Sequence, residues 1–264
     1  MKTISAFFIS ALCIFSSCNS NSENKLFNFV TKEGKGPIEQ KEYQFDFDEI
    51  KVSQSIDAEV VKSDHEKVVV NAPSDIINDV LAEKVGDKLY VHFKPGINIS
   101  AKNVSVKIFA KDFSEIEANS SADIKVLDKF TQDETSIKVS SSGSISGDFE
   151  ANDLEIDGSS SGSYSGKIWA VNLDVDVSSS ADINISGKTK KADMDASSSG
   201  SINANGVFAQ VADLKASSSG SINLSVSETL SATASSGGSV EVKKIGNLQI
   251  VTQNANSGGS VNVR

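Results

Sequence analysis

Seven acidic residues recur in the middle of the chain at intervals of about nineteen residues, and they are its densest set of chemically active groups. They are Glu155, Asp157, Asp174, Asp176, Asp193, Asp195 and Asp213. Neighbouring carboxylates can coordinate Ca²⁺ through oxygen alone, cleave a glycosidic bond by acid–base chemistry, or simply keep a surface solvated. The calcium hypothesis concerns the centre of the set, at Asp174, Asp176, Asp193 and Asp195.

The residues around these carboxylates favour a solvated surface over catalysis. Trp169 is the only tryptophan, and Lys138 and Lys215 flank the acidic set without joining it. A flat row of carboxylates also provides no pocket that would raise the pKa of one acid above that of its neighbour. We therefore predict no catalytic residue and no cofactor. His65 and His92 are predicted to be loop or surface residues, because no second metal ligand is spaced to help them.

The elements that position the carboxylates belong to an internal repeat. Eight segments share a serine cluster, a small residue and then Ser or Asp before an apolar residue, as in Ser197-Ser-Ser-Gly-Ser-Ile202. The small residues are Ala122, Gly143, Gly162, Ala181, Gly200, Gly220, Gly238 and Gly259. Their spacing of 18 to 21 residues is typical of a solenoid.

Apolar and polar residues alternate with period two on both sides of each serine cluster, as in Leu173-Asp-Val175-Asp and Ile183-Asn-Ile185. This alternation indicates strands with one buried face. The pattern predicts an all-β fold, namely a β-solenoid, and more narrowly a single-stranded right-handed parallel β-helix with layers of about twenty residues.

Stacked layers bring equivalent residues into columns, and two columns should form most of the core. The column six residues before the small position contains Ile116, Ile137, Ile156, Val175, Met194 and Leu214. The column two residues after it contains Ile124, Ile145, Tyr164, Ile183, Ile202, Ile222, Val240 and Val261. The serine hydroxyls two residues before it are expected to form hydrogen bonds within the bend or between layers. An outward ladder of Asn184, Asn203, Asn223 and Asn262 is expected to form amide hydrogen bonds.

The N-terminus has the pattern of an export signal. A basic start is followed by a short apolar run over residues 4–15, which is too short to span a bilayer. The run ends in Ser16-Ser17-Cys18, which resembles a bacterial lipobox, although an ordinary secretory signal with an incidental Cys18 is the alternative. We predict a lipoprotein-type signal peptide at 1–17, a lipidated N-terminus and tether at 18–39, and a β-helix at 40–264. Within the β-helix, 40–113 are irregular first layers and 114–264 hold the eight serine repeats.

The composition excludes several classes of protein. The chain has 25 Lys and Arg against 35 Asp and Glu, a formal charge of −10, which argues against a nucleic-acid partner. Its two cysteines, Cys13 and Cys18, both lie near the N-terminus, so the body of the chain has neither a disulfide framework nor a cysteine-ligated metal.

The order of these features resembles the head GIN domain family of Bacteroidetes envelope proteins, which are also called putative autotransporter adhesins. The resemblance spans roughly residues 43–264. It rests on Phe47-Asp-Glu-Ile50-Lys-Val52, Val104-Ser-Val106-Lys-Ile108, Phe113-Ser-Glu-Ile116 and the serine repeats that follow. It implies a right-handed parallel β-helix, often behind a signal peptide or lipobox. It implies no established activity.

We therefore expect a non-catalytic lipoprotein of the cell envelope that presents a β-helix surface for adhesion or assembly. Its expected location is the outer membrane, on either the periplasmic or the external face. Its expected partners are the membrane, through the lipid on Cys18, and a carbohydrate or protein on another surface. The alternative is a β-helix lyase or hydrolase that acts on a polysaccharide, because a fold alone does not decide function.

Overall fold

The chain forms a parallel β-solenoid of about eight turns, which confirms the predicted fold class. The structure is a computed structural model that describes residues 30–264. Cys18 and the predicted signal peptide lie outside the described residues. Within residues 30–264 the only helical element is a 3-10 turn at Ile77–Asp79. No helix in that range has the length and apolar character needed to cross a membrane.

Nine strands precede the serine repeats. They are β1 Val30–Glu33, β2 Ile38–Tyr43, β3 Glu49–Val52, β4 Asp57–Lys62, β5 Lys67–Pro73, β6 Val80–Val85, β7 Lys88–Phe93, β8 Ile97–Ser100 and β9 Ser105–Ala110.

Twelve strands form the repeat region. They are β10 Glu115–Ala118, β11 Asp123–Val126, β12 Phe130–Val139, β13 Ser144–Ser146, β14 Phe149–Gly158, β15 Ser163–Val177, β16 Asp182–Ala196, β17 Ser201–Ala216, β18 Ser221–Ala234, β19 Ser239–Lys244, β20 Gln249–Ala255 and β21 Ser260–Val263.

The strands of the repeat region stack in parallel, with equivalent positions of successive repeats in register. Ile116 is the partner of Ile137, which in turn is the partner of Ile156. The same column continues through Val175, Met194 and Leu214. The column that the repeat spacing predicts is therefore a column of the structure.

Both predicted core columns point inward. All six residues of the first column have 0% exposure. In the second column, every residue from Ile124 to Val240 is buried, whereas Val261 is only half-buried because it lies in the last layer. Burial of these aliphatic side chains, at about 25 cal/mol per Å² of apolar surface, drives the stacking.

An aromatic cluster lies in the core near the start of the repeat region. Phe113 lies 4.7 Å from Phe130 and 6.2 Å from Phe149, measured between ring centroids. Phe149 lies 6.0 Å from Tyr164, whose hydroxyl donates a 3.0 Å hydrogen bond to the carbonyl of Gly147. All four rings are at most 1% exposed. The cluster bridges adjacent layers, in which Phe130 and Phe149 are partners, through side chains much larger than those of the aliphatic columns.

Each serine cluster forms a tight bend between two strands, which we call the serine bend. In the bend at 159–162, Ser160 and Ser161 have φ of 48° and 61°, and the amide of Gly162 donates a 2.9 Å hydrogen bond to the carbonyl of Ser159. These are features of a type I′ turn. The amide of Ser161 also donates to the carbonyl of Ser179 in the next layer, at 3.0 Å.

The predicted role of the serine hydroxyls is wrong. In the described residues, none of the eight serines of the column forms a side-chain hydrogen bond, and the backbone joins successive bends instead. These serines are Ser120, Ser141, Ser160, Ser179, Ser198, Ser218, Ser236 and Ser257, and all have φ between 47° and 52°. Their side chains point away from the stack because both central residues of the bend have left-handed backbone.

The glycine that ends a serine bend is required by close contact between layers. A Cβ at Gly162 would lie 2.5 Å from the carbonyl carbon and oxygen of Val139 in the layer below. Alanine occupies this position at Ala122 and Ala181, and a Cβ at Gly158, in the layer below Ala181, would lie 3.2 Å from the Cβ of Ala181. The small residue therefore sets how closely two layers approach.

The N-terminal end of the stack does not follow chain order. Strand β10 pairs with β3 and β11 with β4, while β7 and β9 lie beyond these strands as the outer layer. Antiparallel strands then cover this end: β2 pairs with β5, β5 with β9, and β6 with β7. Strand β1 pairs with β8, so strand pairing extends into the segment predicted as a tether. The irregular residues 40–113 thus contribute two parallel layers and an antiparallel cap.

Candidate functional site

The seven carboxylates form two outward columns on one face of the solenoid, which we call the carboxylate ladder. Glu155, Asp174, Asp193 and Asp213 are successive partners in one column. Asp157, Asp176 and Asp195 are successive partners in the other. All seven side chains are exposed or half-exposed, and successive layers are about 4.8 Å apart. The predicted register and orientation of these residues are confirmed.

Three members of the ladder have a raised pKa. Loss of solvent raises the pKa of Asp174 above its ordinary value of 3.8, and the charges of Asp176 and Asp193 raise it further. Loss of solvent likewise raises the pKa of Asp176, with Asp195 as the strongest neighbouring charge. Asp157 shows the same effect, with Glu155 as its main charged neighbour. The centre of the ladder therefore holds negative charge at an energetic cost.

The calcium hypothesis stays a prediction. Asp174, Asp176, Asp193 and Asp195 lie in adjacent layers, as expected. Across residues 30–264, however, no three Asp, Glu, His or Cys side chains come together in an arrangement that could hold a metal ion.

The two lysines that flank the ladder form ion pairs with different partners. Lys215 reaches back into the ladder, with its Nζ 3.8 Å from carboxylate oxygens of both Asp193 and Asp213. Lys138 instead points toward the N-terminal end and lies 2.6 Å from Glu115. Direct ion pairs therefore compensate Asp193 and Asp213, whereas no lysine or arginine of the described residues forms an ion pair with Asp174 or Asp176.

An ion-pair network continues this face toward the N-terminal cap. Lys88 lies 2.7 Å from Glu115 and 3.0 Å from Glu49. Burial opposes the charge of Lys88, but its hydrogen bonds to Glu115 and Glu49 outweigh burial and raise its pKa to about 12. Burial alone would raise the pKa of Glu115, yet the hydrogen bonds from Lys138 and Lys88 lower it. The face thus changes from paired charges to unpaired carboxylates along its length.

Two neighbouring open grooves share Ser114 and Glu134 in their linings, and the first of them borders the ladder. The first, of about 570 Å³, lies between the column of Asp153 and Asn172 and the column of Glu155 and Asp174. Ser136 is in its lining, and the Ser136 hydroxyl is buried without a hydrogen-bond partner. The second, of about 560 Å³, has Trp169 in its lining, and we call it the Trp169 groove.

The Trp169 groove was not predicted from the sequence. Thr131, Glu150 and Trp169 are partners in one outward column, at intervals of nineteen residues. That spacing was available as a signal. Finding the groove also required knowledge of which neighbouring columns share a face, which the repeat pattern does not supply.

Two other groups of predicted residues have mixed outcomes. His65 is exposed as predicted, but His92 is buried, because it lies on β7, a strand paired on both edges by β3 and β6. Its ring stacks on Tyr90, and its Nδ1 lies 2.8 Å from the carbonyl oxygen of Phe93. In the asparagine ladder, Asn203 donates a 3.1 Å hydrogen bond to Asn184. Glu241 interrupts the same column between Asn223 and Asn262.

Replacing a carboxylate at the centre of the ladder should stabilise the protein. We expect Asp176→Asn to raise the free energy of unfolding by about 0.2–1 kcal/mol near neutral pH, the range for exposed charge pairs. The raised pKa means that the folded state binds the proton more tightly than the unfolded state does. The penalty therefore exists above the folded pKa and disappears as the pH falls below about 3.8. Thermal melts at neutral and acidic pH measure both effects.

Asp213→Asn is the matched control, because Asp213 already has Lys215 as a partner. It should raise the free energy of unfolding less than Asp176→Asn does. An equal or larger rise would contradict the conclusion that Asp176 lacks a compensating positive charge. Melts in CaCl₂ and in NaCl of equal ionic strength test the calcium hypothesis with the same proteins. A larger rise in Tm in CaCl₂ that is lost in Asp176→Asn would support it.

Three solved structures with a similar fold come from the genus Parabacteroides. A crystal structure of a putative adhesin from Parabacteroides distasonis has a TM-score of 0.79 at 23% identity, covering 89% of this chain and 100% of that one. A putative adhesin from Parabacteroides merdae has a TM-score of 0.77 at 20% identity, covering 89% and 99%. A putative lipid binding protein from Parabacteroides distasonis has a TM-score of 0.76 at 22% identity, with the same coverage as the second.

No curated protein matches the sequence. A family model described as "Putative auto-transporter adhesin, head GIN domain" matches residues 46–168 and 150–246. Together the two matches span most of the chain and include the ladder, both grooves and most of the serine bends. The chain therefore belongs to the head GIN domain family of putative auto-transporter adhesins.

Proposed function

We propose that the protein is a non-catalytic, lipid-anchored module of the outer membrane that presents the side faces of its solenoid to a carbohydrate or protein on another surface. The main support is the register of its outward columns, which repeats the same side chains in successive layers on one face. Repeated contacts of this kind gain strength by multivalency even where each contact is weak. The adhesin names within the family agree with this role.

The anchor in this proposal is the lipid on Cys18. Two or three acyl chains would hold the protein firmly, since each buried CH₂ contributes about 0.8 kcal/mol. We expect Cys18→Ala to move the protein from the membrane fraction to the soluble fraction after cell lysis. A Cys18→Ala protein that still sediments with membranes would contradict the anchor. Protease treatment of intact cells then distinguishes an external from a periplasmic face.

The adhesive role is tested by attachment of cells to coated plates. Cells that produce the wild-type chain should attach to a polysaccharide-coated or protein-coated surface better than cells from which it has been deleted. Cells that produce Cys18→Ala should behave like the deletion. Equal attachment of all three on every coating would contradict adhesion.

A polysaccharide-cleaving enzyme is the second candidate, because the ladder places carboxyl groups in adjacent layers and glycoside hydrolysis uses a pair of neighbouring carboxyl groups. A depolymerisation screen on neutral and acidic glycans distinguishes the two roles. Turnover that is lost in Asp174→Asn and in Asp176→Asn would establish the enzyme.

One solved relative bears the name of a lipid binding protein. The carboxylates and amides in both grooves suit a polar partner better than a lipid tail.

A further inference from the structure

We infer that the Trp169 groove is a binding site for a neutral glycan chain, with the indole of Trp169 as the platform for a sugar ring. This inference deepens the proposed adhesive function and rests on it. Trp169 is 43% exposed, although it is the largest apolar side chain of the protein and its backbone lies within the sheet. An exposed indole presents a flat apolar face with a polar N–H at its edge. The C–H face of a sugar ring is complementary to such a surface.

The groove leads away from Trp169 along the axis of the solenoid. Its lining includes Glu150 and Thr131 from the column of Trp169, and Asp48 at its far end. These residues span successive layers, each about 4.8 Å from the next, so the groove suits an extended chain rather than a compact ligand. Buried Phe113 and Ala151 form part of its floor.

The polar groups of the lining are held in fixed positions by bonds to one another. Glu150 accepts a 2.8 Å hydrogen bond from Lys129 and a 3.2 Å hydrogen bond from Thr131. Asn152 donates a 3.0 Å hydrogen bond to Asp133. Each carboxylate oxygen can accept a further bond, so the groove offers oriented acceptors beside amide and hydroxyl groups. Sugar hydroxyls both donate and accept, and they match this mixture.

Charge decides which glycans fit. Asp48, Asp112, Asp133, Glu134 and Glu150 line the groove, and no lysine or arginine is among the lining residues. An acidic polysaccharide would be repelled, whereas a neutral one would not. A basic peptide would also be attracted by these carboxylates. The ion pair of Glu150 with Lys129 lowers the net negative charge beside the indole, and the flat apolar face of the indole suits a sugar ring.

The test uses native gel electrophoresis of the mature chain through soluble mannan, β-glucan, starch, xylan or polygalacturonate. We expect one of the neutral polymers to retard the wild type, and polygalacturonate not to. Trp169→Ala should weaken the retardation by about tenfold or more, as expected for an aromatic residue at the centre of a site. Trp169→Phe should keep part of it.

Phe208→Ala is the matched control. Phe208 is 53% exposed and lies in the same outward column as Trp169, two layers farther on and beyond Lys188, outside the groove lining. It should be retarded like the wild type. Because Trp169 is the only tryptophan, a change in its fluorescence on addition of the retarding polymer reports binding at this groove directly.

Several results would overturn the inference. Equal retardation of wild type and Trp169→Ala would place the glycan elsewhere. Absence of retardation and of any fluorescence change with all neutral polymers would exclude the site. A fluorescence change with oligolysine alone would identify the groove as a peptide site. If cells still attach to coated plates through the chain while Trp169→Ala has no effect, the inference fails and the adhesive function stands.

Discussion

Phe149→Ala should lower the free energy of unfolding by about 3–5 kcal/mol, the cost of emptying the space of a buried aromatic ring. Phe149 is 1% exposed and contacts rings on both sides, Phe113 at 6.2 Å and Tyr164 at 6.0 Å. Its removal leaves a cavity between layers that backbone hydrogen bonds keep apart, so the structure has little freedom to close it. Urea unfolding followed by the fluorescence of Trp169, which lies in the next layer, measures the loss.

Phe208→Ala is the control for this substitution too, because Phe208 is an exposed phenylalanine. It should change stability by no more than about 0.5 kcal/mol. Equal unfolding midpoints for the two variants would mean that the aromatic cluster adds nothing to what a surface ring contributes.

The second large effect is expected at a serine bend. Gly162→Ala should destabilise the protein by about 1–3 kcal/mol, the usual cost of forcing extra atoms into a packed site. The new Cβ would lie 2.5 Å from the carbonyl carbon and oxygen of Val139, and these backbone atoms can move only if two layers separate. Thermal melts detect the loss as a lower Tm.

Ser161→Gly tests whether the loss in Gly162→Ala comes from the collision with Val139 or from a general sensitivity of the serine bend to substitution. Ser161 has φ of 61°, and glycine occupies the equivalent position at Gly237 and Gly258, with φ of 78° and 80°. Glycine relieves the left-handed strain, which offsets its greater freedom in the unfolded chain. We therefore expect Ser161→Gly to leave stability unchanged or slightly higher. A loss as large as that of Gly162→Ala would contradict the collision.

The repeat region could be predicted because one spacing recurs and because apolar and polar residues alternate along each strand. Ile156 and Val175 occupy equivalent positions nineteen residues apart, so stacking alone makes them core neighbours. The same stacking places Asp174 and Asp176 on the outside. Side chains in these columns are similar enough from layer to layer for each layer to predict the next.

Features that break the repeat could not be predicted in this way. Phe130 and Phe149 are partners, but their column continues as Ile168 and Gly187, so no constant residue type indicates the aromatic cluster. The order of layers at the N-terminal end depends on long-range antiparallel pairing, such as that of β5 with β9, for which local spacing carries no information. The repeat spacing also does not reveal that the bend is left-handed and leaves the serine side chains exposed.

The same limit applies to the candidate functional site: the part that follows the repeat could be predicted, and the rest could not. The carboxylate ladder follows from the repeat alone, since it consists of equivalent positions. The Trp169 groove requires three columns to lie on one face, and a corner of the solenoid decides which columns do so. Asn152 and Asp133 share a hydrogen bond in this groove, whereas Glu150 belongs to the column of Trp169.

The layers of the repeat region are equal, and only the two ends of the solenoid differ from them. The length of the solenoid can therefore change in evolution while the fold stays the same. The small residues Gly143, Gly162, Ala181 and Gly200 follow one another at intervals of nineteen residues, so duplication or loss of one such segment of the gene would keep every column in register. The antiparallel cap at one end and the last layer at the other would be untouched. Each event would change the reach of the molecule by about 4.8 Å. Relatives can therefore differ in the distance they span while folding by the same rules.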